Sequence, residues 1–517
     1  MTIKKRLLTL LVIVFSVFSA NANNILISNV SLSGQNGVLN YTMINFDLSW
    51  DHSWRTSTYE SNWDAAWVFV KWRLKTSNVW NHATIDTLGH TVPADATIET
   101  PSDERGVFIY NAYDTISSNA FTGIQLRWDY GVDGLFDNDS VEICVFAIEM
   151  VYVPQGEFYL GDGELTKPEG HFTNENTTDP FYLTSEAAIT LGDGSAGSMG
   201  DNGGNGMDFD DDFAGGTAKT LPAAFPKGYN AFYIMKYEVS QEQYVEFLNK
   251  LTYTQQVTRT TNAPTSASGT GALCANTFRN GIDVMTSGTS PGTPAVYACN
   301  YTSNAIFKQA FDGQNIACNF ISWGDLAAYL DWSGLRPFTE LEYEKACRGS
   351  NITPFMGEYA WGDTTLKGAK SIIYPGYNNE TDTTTGANAA YRDTSGVQGP
   401  MRVGNFAKSN TDRIYSGGAY YGAMDMSGNL WERVITVSNA SGRIYTGVHG
   451  DGNLDASGYA NVSNWPSNTT ALGIGSKGGG WESNAVSLRI SSRYYSNTTV
   501  ATRGRYYGGR GVRNSRY

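Results

Sequence analysis

Charge, cysteine, histidine and proline are all scarce in this chain of 517 residues: charged side chains make up 17%, with 5 Cys, 5 His and 15 Pro. Sparse charge excludes a coiled coil or long solvated helices, and 41% hydrophobic with 13% aromatic residues excludes a disordered chain. Basic residues number 36 against 50 acidic ones, a net charge of −14, which excludes general nucleic-acid binding. Cys144, Cys274, Cys299, Cys318 and Cys347 include no C-x-x-C pair. His52, His82, His90, His171 and His449 are scattered without an H-x-x-x-H or H-E-x-x-H pattern, so a zinc site is not indicated and each reads as a surface or core residue. An odd cysteine count leaves at least one thiol unpaired; Cys144 reads as a small buried hydrophobe, and Cys274 to Cys347 as candidates for one or two disulfides. Beyond the N-terminus no segment stays apolar for about 18 residues, so no transmembrane segment is expected in the mature chain.

What is abundant is glycine, at 56 residues, and tyrosine, at 31, a pairing that predicts many short strands and turns wrapped by ordered loops. Residues 1–22 read as a signal peptide: Lys4, Lys5 and Arg6 precede an apolar run from Leu7 to Phe18, and Ala20-Asn21-Ala22 supplies a cleavage site. Export to the periplasm, the cell surface or the medium is expected. Residues 23–148 predict an all-β sandwich, with strand-like runs at Ile44–Trp50, Ala66–Trp72, Gly106–Tyr110, Ile124–Trp128 and Val141–Phe146. Its aromatics either pack the core or offer Trp67 and Trp128 to a sugar.

A second region spans 149–517, with a Gly/Asp-rich insertion around 192–216 whose Asp208–Asp212 run misses a calcium-loop spacing and reads as a solvated flexible loop. Three short helices are predicted from their caps. Ser240 with Gln243 opens one, Ser322 caps a second that stops at Gly334, and Thr339 with Glu342 opens a third that ends before Gly349.

The segments Met150–Gly161, Phe232–Ser240, Ile321–Leu330 with Leu335–Glu344, Tyr359–Gly362, Met424–Glu432 and Gly478–Trp481 occur in the order of the formylglycine-generating enzyme, or sulfatase-modifying factor, family. The chain resembles that family over about Met150 to Arg513. The resemblance implies an α+β, loop-rich, C-type-lectin-like domain following the sandwich. The family's oxidases hold Cu(I) between two thiolates shortly after the Gly-Gly-Ser-aromatic motif, a soft-ligand chemistry. Aligning Gly478–Trp481 on that motif puts Ser483 and Leu488 at the thiol positions, so no copper and no catalytic residue are expected. Iron-dependent sulfoxide-synthase relatives need a histidine cluster on an added helical domain, whereas the N-terminal region here is strand-like. Gliding-motility lipoproteins with a related domain are the closer analogy, although their lipid-attachment cysteine is missing here.

The resemblance also implies a structural Ca²⁺ at Asp425, Gly428, Leu430 and Glu432, through two carboxylates and two main-chain carbonyls. The other reading of the same residues is that Asp425 caps the turn and Glu432 pairs with an arginine. After Glu482 there is no acidic residue, while Arg489, Arg493, Arg503, Arg505, Arg510, Arg513 and Arg516 crowd the end of the chain among tyrosines. They form either a cationic strip for an anionic polysaccharide or internal stacks and forks that close a loop-rich fold. The function expected is an exported, non-catalytic structural or binding protein of the cell envelope or surface that self-associates, for instance by lending Ile25–Leu32 to a neighbour's sheet edge. The alternatives are a formylglycine-generating oxidoreductase or sulfatase-maturation enzyme, and a carbohydrate-binding protein. Asp114-Thr115-Ile116 and Asp139-Ser140-Val141 resemble short acceptor triplets of bacterial O-glycosylation.

Overall fold

The computed structural model describes residues 24–163, 170–200, 211–213, 217–392, 396–497 and 500–515; the leader at 1–22 and part of the 192–216 insertion lie outside them. Eight strands open the chain: β1 (Leu26–Asn36), β2 (Tyr41–Arg55), β3 (Asp64–Leu74), β4 (Asn81–His82), β5 (Ala96–Glu99), β6 (Val107–Asn111), β7 (Thr115–Trp128) and β8 (Val141–Val153). β1, β2 and β7 form one antiparallel sheet, with β2 in the middle. Along β2 every second residue is buried, so Ile44, Phe46, Leu48 and Trp50 face inward, as period-two alternation requires. They meet Ala66, Val68, Val70 and Trp72 of β3, and Ile124, Leu126 and Trp128 of β7, in a sandwich core. Trp67 and Trp128 are both inside the protein, at 0% and 1% exposed, so neither offers a sugar a stacking face.

β3 is buried on both faces over its first nine residues. One face belongs to the sandwich. The other, carrying Trp67 and Phe69, packs against the second region through Trp332, whose ring meets that of Phe69 edge-on at 5.2 Å. The boundary expected after residue 148 falls inside β8, which pairs with β3 along Asp64–Leu74 and then with β9 (Phe232–Met235) through Met150–Val153. One seven-stranded sheet therefore runs through both regions, because the apolar stretch from Val141 to Val153 has no break at which a strand could stop.

The three predicted helices form at α1 (Gln241–Leu248), α3 (Trp323–Trp332) and α4 (Glu340–Arg348), each with a reciprocal capping box. The sequence reading missed α2 (Tyr253–Arg259), although Thr252 and Gln255 make the same box. The remaining described residues of the second region form loops, a few one-turn helices and short strands, including β10 (Ile282–Thr286), β11 (Val296–Cys299), β12 (Trp431–Ile435), β13 (Ile474–Lys477), β14 (Tyr507–Gly508) and β15 (Val512–Asn514). β15 closes the shared sheet beside β9. All five cysteines are unpaired, so the expected disulfides are not formed. No helix among the described residues is long and apolar enough to cross a membrane.

Candidate functional site

The residues singled out by sequence gather on the turn between Met424 and Glu432, which leads into β12. Asp425 and Asn429 both take positive φ, at 60° and 64°, as Asp and Asn tolerate better than other side chains. Gly428 sits at φ 102°, and a Cβ there would lie 2.6 Å from the Ala390 carbonyl, so the turn requires glycine. Its N–H donates to Gly478 O, and Trp481 N–H donates to Asn429 O, which ties the turn to the Gly-Gly-Gly-Trp motif.

Under this turn lie three buried carboxyl groups, Glu238, Asp425 and Glu432, beside one guanidinium, Arg510. Arg510 Nε reaches both oxygens of Glu432, at 2.7 and 2.9 Å, and its Nη2 lies 2.5 Å from Oε1. The remaining Arg510 donors go to the carbonyls of Met235, Lys236 and Met424. Asp425 Oδ2 accepts from Gly404 N–H at 2.6 Å. Glu238 accepts from Leu430 N–H at 2.9 Å and from the Asn429 amide. Burial pushes the Glu238 carboxyl well above its ordinary range, and the charges of Asp425 and Glu432 push it further. Burial raises Asp425 and Glu432 too, opposed at Asp425 by the Gly404 N–H and then by Arg510 and Arg402, and at Glu432 by Arg510.

This arrangement does not fit the calcium ligand set. Both oxygens of Glu432 are engaged by a guanidinium, which already supplies the positive charge a metal would bring. The geometry is that of the arginine-pair reading of Glu432, while Asp425 anchors a neighbouring loop. Glu238 and Arg510 are the partners that sequence reasoning missed; both lie inside conspicuous segments, and nothing local marks them as facing one another.

Ser483 and Leu488 are held by the same motif. Ser483 Oγ accepts the Gly480 N–H at 2.9 Å, and its N–H donates to Gly480 O. Leu488 is fully buried among Tyr359, Trp361 and Ala389, and its Cδ1 lies 2.6 Å from where a Cβ on Gly479 would be. A packed isobutyl group thus occupies the position that the resemblance aligns with one of the oxidases' thiols. Burial raises the Cys299 and Cys318 thiols well above the usual range and takes Cys347 up to about 12, which disfavours the thiolate at these three positions.

Of the C-terminal arginines, Arg493, Arg510 and Arg513 are buried and Arg503 and Arg505 pair with carboxylates nearer the surface. Arg493 bonds Asp211 and Glu340, Arg503 bonds Asp325, Arg505 bonds Glu482, and Arg513 lies over Trp67 while pairing with Asp103. Arg516 lies outside the described residues. The acidic insertion meets them: Asp211, from the run expected to be solvated, is buried on Arg493, while Asp212 stays at the surface and pairs with Arg443. These arginines are structural forks, the second of the two readings.

Compared with known families, residues 198–515 match the sulfatase-modifying factor enzyme 1-like domain. No curated protein matches the chain.

Proposed function

The chain belongs to the sulfatase-modifying factor enzyme 1-like family, and from that membership we propose an exported, non-catalytic structural or binding protein of the cell envelope that uses the family scaffold without its oxidation chemistry. The observation that carries the reading is Leu488, buried among Tyr359, Trp361 and Ala389 where the family oxidases place a copper thiolate. No cysteine follows Cys347, and a hydroxyl at Ser483 is a poor ligand for Cu(I). We take region 149–517 to be the loop-rich, C-type-lectin-like variant, a reading supported by short helices, four of them opened by a capping box, set among irregular segments. Copper analysis of the mature protein, with an oxygen-consumption assay on a cysteine peptide, tests the proposal. Neither stoichiometric copper nor turnover is expected; both together would overturn it.

Self-association is the second element of the proposal, and β1 supports it. The strand pairs with β2 on one side and stands at the edge of its sheet on the other. Its 11 residues contain no charge and no proline, the usual protections of an edge strand, and Leu26, Val30 and Leu32 are 58%, 40% and 40% exposed. Val30→Lys is expected to change stability by less than about 0.5 kcal/mol while abolishing concentration-dependent oligomers in size-exclusion chromatography. A wild-type chain that stays monomeric at high concentration removes this part of the proposal.

A further inference from the structure

We infer that residues 271–300 build a second, independent site, one that binds a calcium ion through side-chain oxygens of Asp283, Asn276 and Asn300 and the carbonyl of Cys274. Asp283 lies on β10 and is fully buried, as is Asn300 just beyond β11. Asp283 Oδ2 accepts the amide N–H of Asn300 at 2.7 Å and of Asn276 at 3.2 Å. Its other oxygen, Oδ1, has no hydrogen-bond partner, and neither has Oδ1 of Asn300 or Oδ1 of Asn276. Three acceptors linked through one carboxylate are thus out of water with nothing to accept from.

Backbone geometry brings a fourth oxygen to the same side. Gly271 forms an antiparallel bridge with Asp283, so the two residues direct their Cβ positions to the same face. A Cβ on Gly271 would overlap the Cys274 carbonyl oxygen and come within 2.7 Å of Asn276 Oδ1. Only glycine lets the chain fold back so that these two oxygens crowd the Asp283 side of the bridge.

No lysine or arginine among the described residues forms an ion pair with Asp283, in contrast to Glu432 with Arg510 or Asp325 with Arg503. A buried carboxylate without a counter-charge, bonded to two amides whose own oxygens lack a donor, is an environment that suits a hard cation. A water molecule has two protons to donate and no charge, so it answers neither the number of acceptors nor the carboxylate. Amide and carbonyl oxygens on an irregular loop suit calcium better than magnesium, which demands near-octahedral geometry and keeps its water. With a single carboxylate the affinity falls in the weak range of extracellular modules, about 10⁻⁴–10⁻³ M.

The test is calcium titration of the EDTA-treated mature chain at fixed ionic strength, followed by melting temperature and calorimetry. Calcium is expected to raise the melting temperature with half-saturation near ~1 mM, and magnesium at equal concentration to do so much less. Asp283→Asn is expected to abolish the shift. Asn276→Ala, at a half-exposed position where folding is less at risk, moves half-saturation at least about tenfold. Asp425→Asn leaves the shift in place, which separates this site from the turn beside Arg510. The inference fails if the wild type shows no calcium-dependent heat or melting shift, if Asp283→Asn and Asn276→Ala both leave it unchanged, if Asp425→Asn alone removes it, or if sodium reproduces it.

Discussion

The two regions joined by the shared sheet both have apolar cores, and they differ in how much buried charge accompanies them. On the sandwich side the interior is apolar, formed by alternating residues such as Ile44, Phe46, Leu126 and Trp128. On the other side Arg336, Arg348, Arg493 and Arg510 are among the largest fully buried side chains, each forked onto carboxylates. A regular sheet satisfies its own backbone groups and leaves side chains free to be apolar. Loops leave carbonyls over, and a guanidinium with five donors can answer a carbonyl and a carboxylate together. Arg348 does so, bonding Glu344, Glu358 and the Tyr159 carbonyl.

The comparison is broken most severely at Arg493. Replacing it by Met keeps volume but leaves Asp211 and Glu340 buried without their cation, which should cost about 3–5 kcal/mol. Leu126→Ala in the sandwich should cost about 2–5 kcal/mol. The difference lies in rescue: Arg493→Met combined with Asp211→Asn and Glu340→Gln should recover much of the loss in denaturant melts, whereas no second polar change rescues Leu126→Ala. Equal costs with no recovery in the triple variant would show that the charges do not act as a unit.

Acid should sharpen the contrast, because titration enters through the second region. Asp331 is buried, and burial with the nearby Asp451 charge pushes it up to about 7. The folded state then binds a proton that the unfolded state releases at its ordinary pKa of about 4. Stability therefore rises as pH falls from 7 towards 4. Glu344 and Asp325 act in the opposite sense. Burial would raise both, but Lys477 and Arg348 outweigh it at Glu344, and Arg503 and Arg259 at Asp325, holding each below its ordinary range. Their contribution is present above the unfolded pKa and lost as pH falls through the depressed folded value. The melting temperature should pass through a maximum on the acid side of neutrality, and Asp331→Asn should flatten the limb between pH 4 and 7 without moving the acid limb. A profile identical to wild type would remove Asp331 from the account.

These contrasts bear on what could be read from sequence. Strands and capped helices were legible because their signals are local: alternation in β2, and Ser240 with Gln243 three residues apart. The pairings were not, since Arg493 and Asp211 are 282 positions apart and Arg510 and Glu432 are 78 apart, and any of several carboxylates would have suited each. The boundary inside β8 was missed for a related reason: an apolar run shows that a strand is buried, not which partners bury it.

Arg433 is the exception within the second region, and it offers the smallest and cleanest test. It lies on β12, fully buried, and its Nε, Nη1 and Nη2 have no hydrogen-bond partner. Its guanidinium lies 3.6 Å from the centroid of the Tyr507 ring, and burial draws its pKa down to about 10, with the Tyr507 and Tyr506 hydroxyls opposing. The group thus stays charged at neutral pH, desolvated, with only a ring face for a partner, an interaction worth about 0.5–2 kcal/mol. Removing it orphans no carboxylate, unlike the loss of Arg493. Arg433→Leu should therefore be neutral or raise stability, by on the order of 1 kcal/mol, measured as a shift in denaturant midpoint at constant m-value. A loss above about 2 kcal/mol would mean that the ring contact outweighs desolvation, and that arginine stabilises this half of the protein even where it has no carboxylate to pair with.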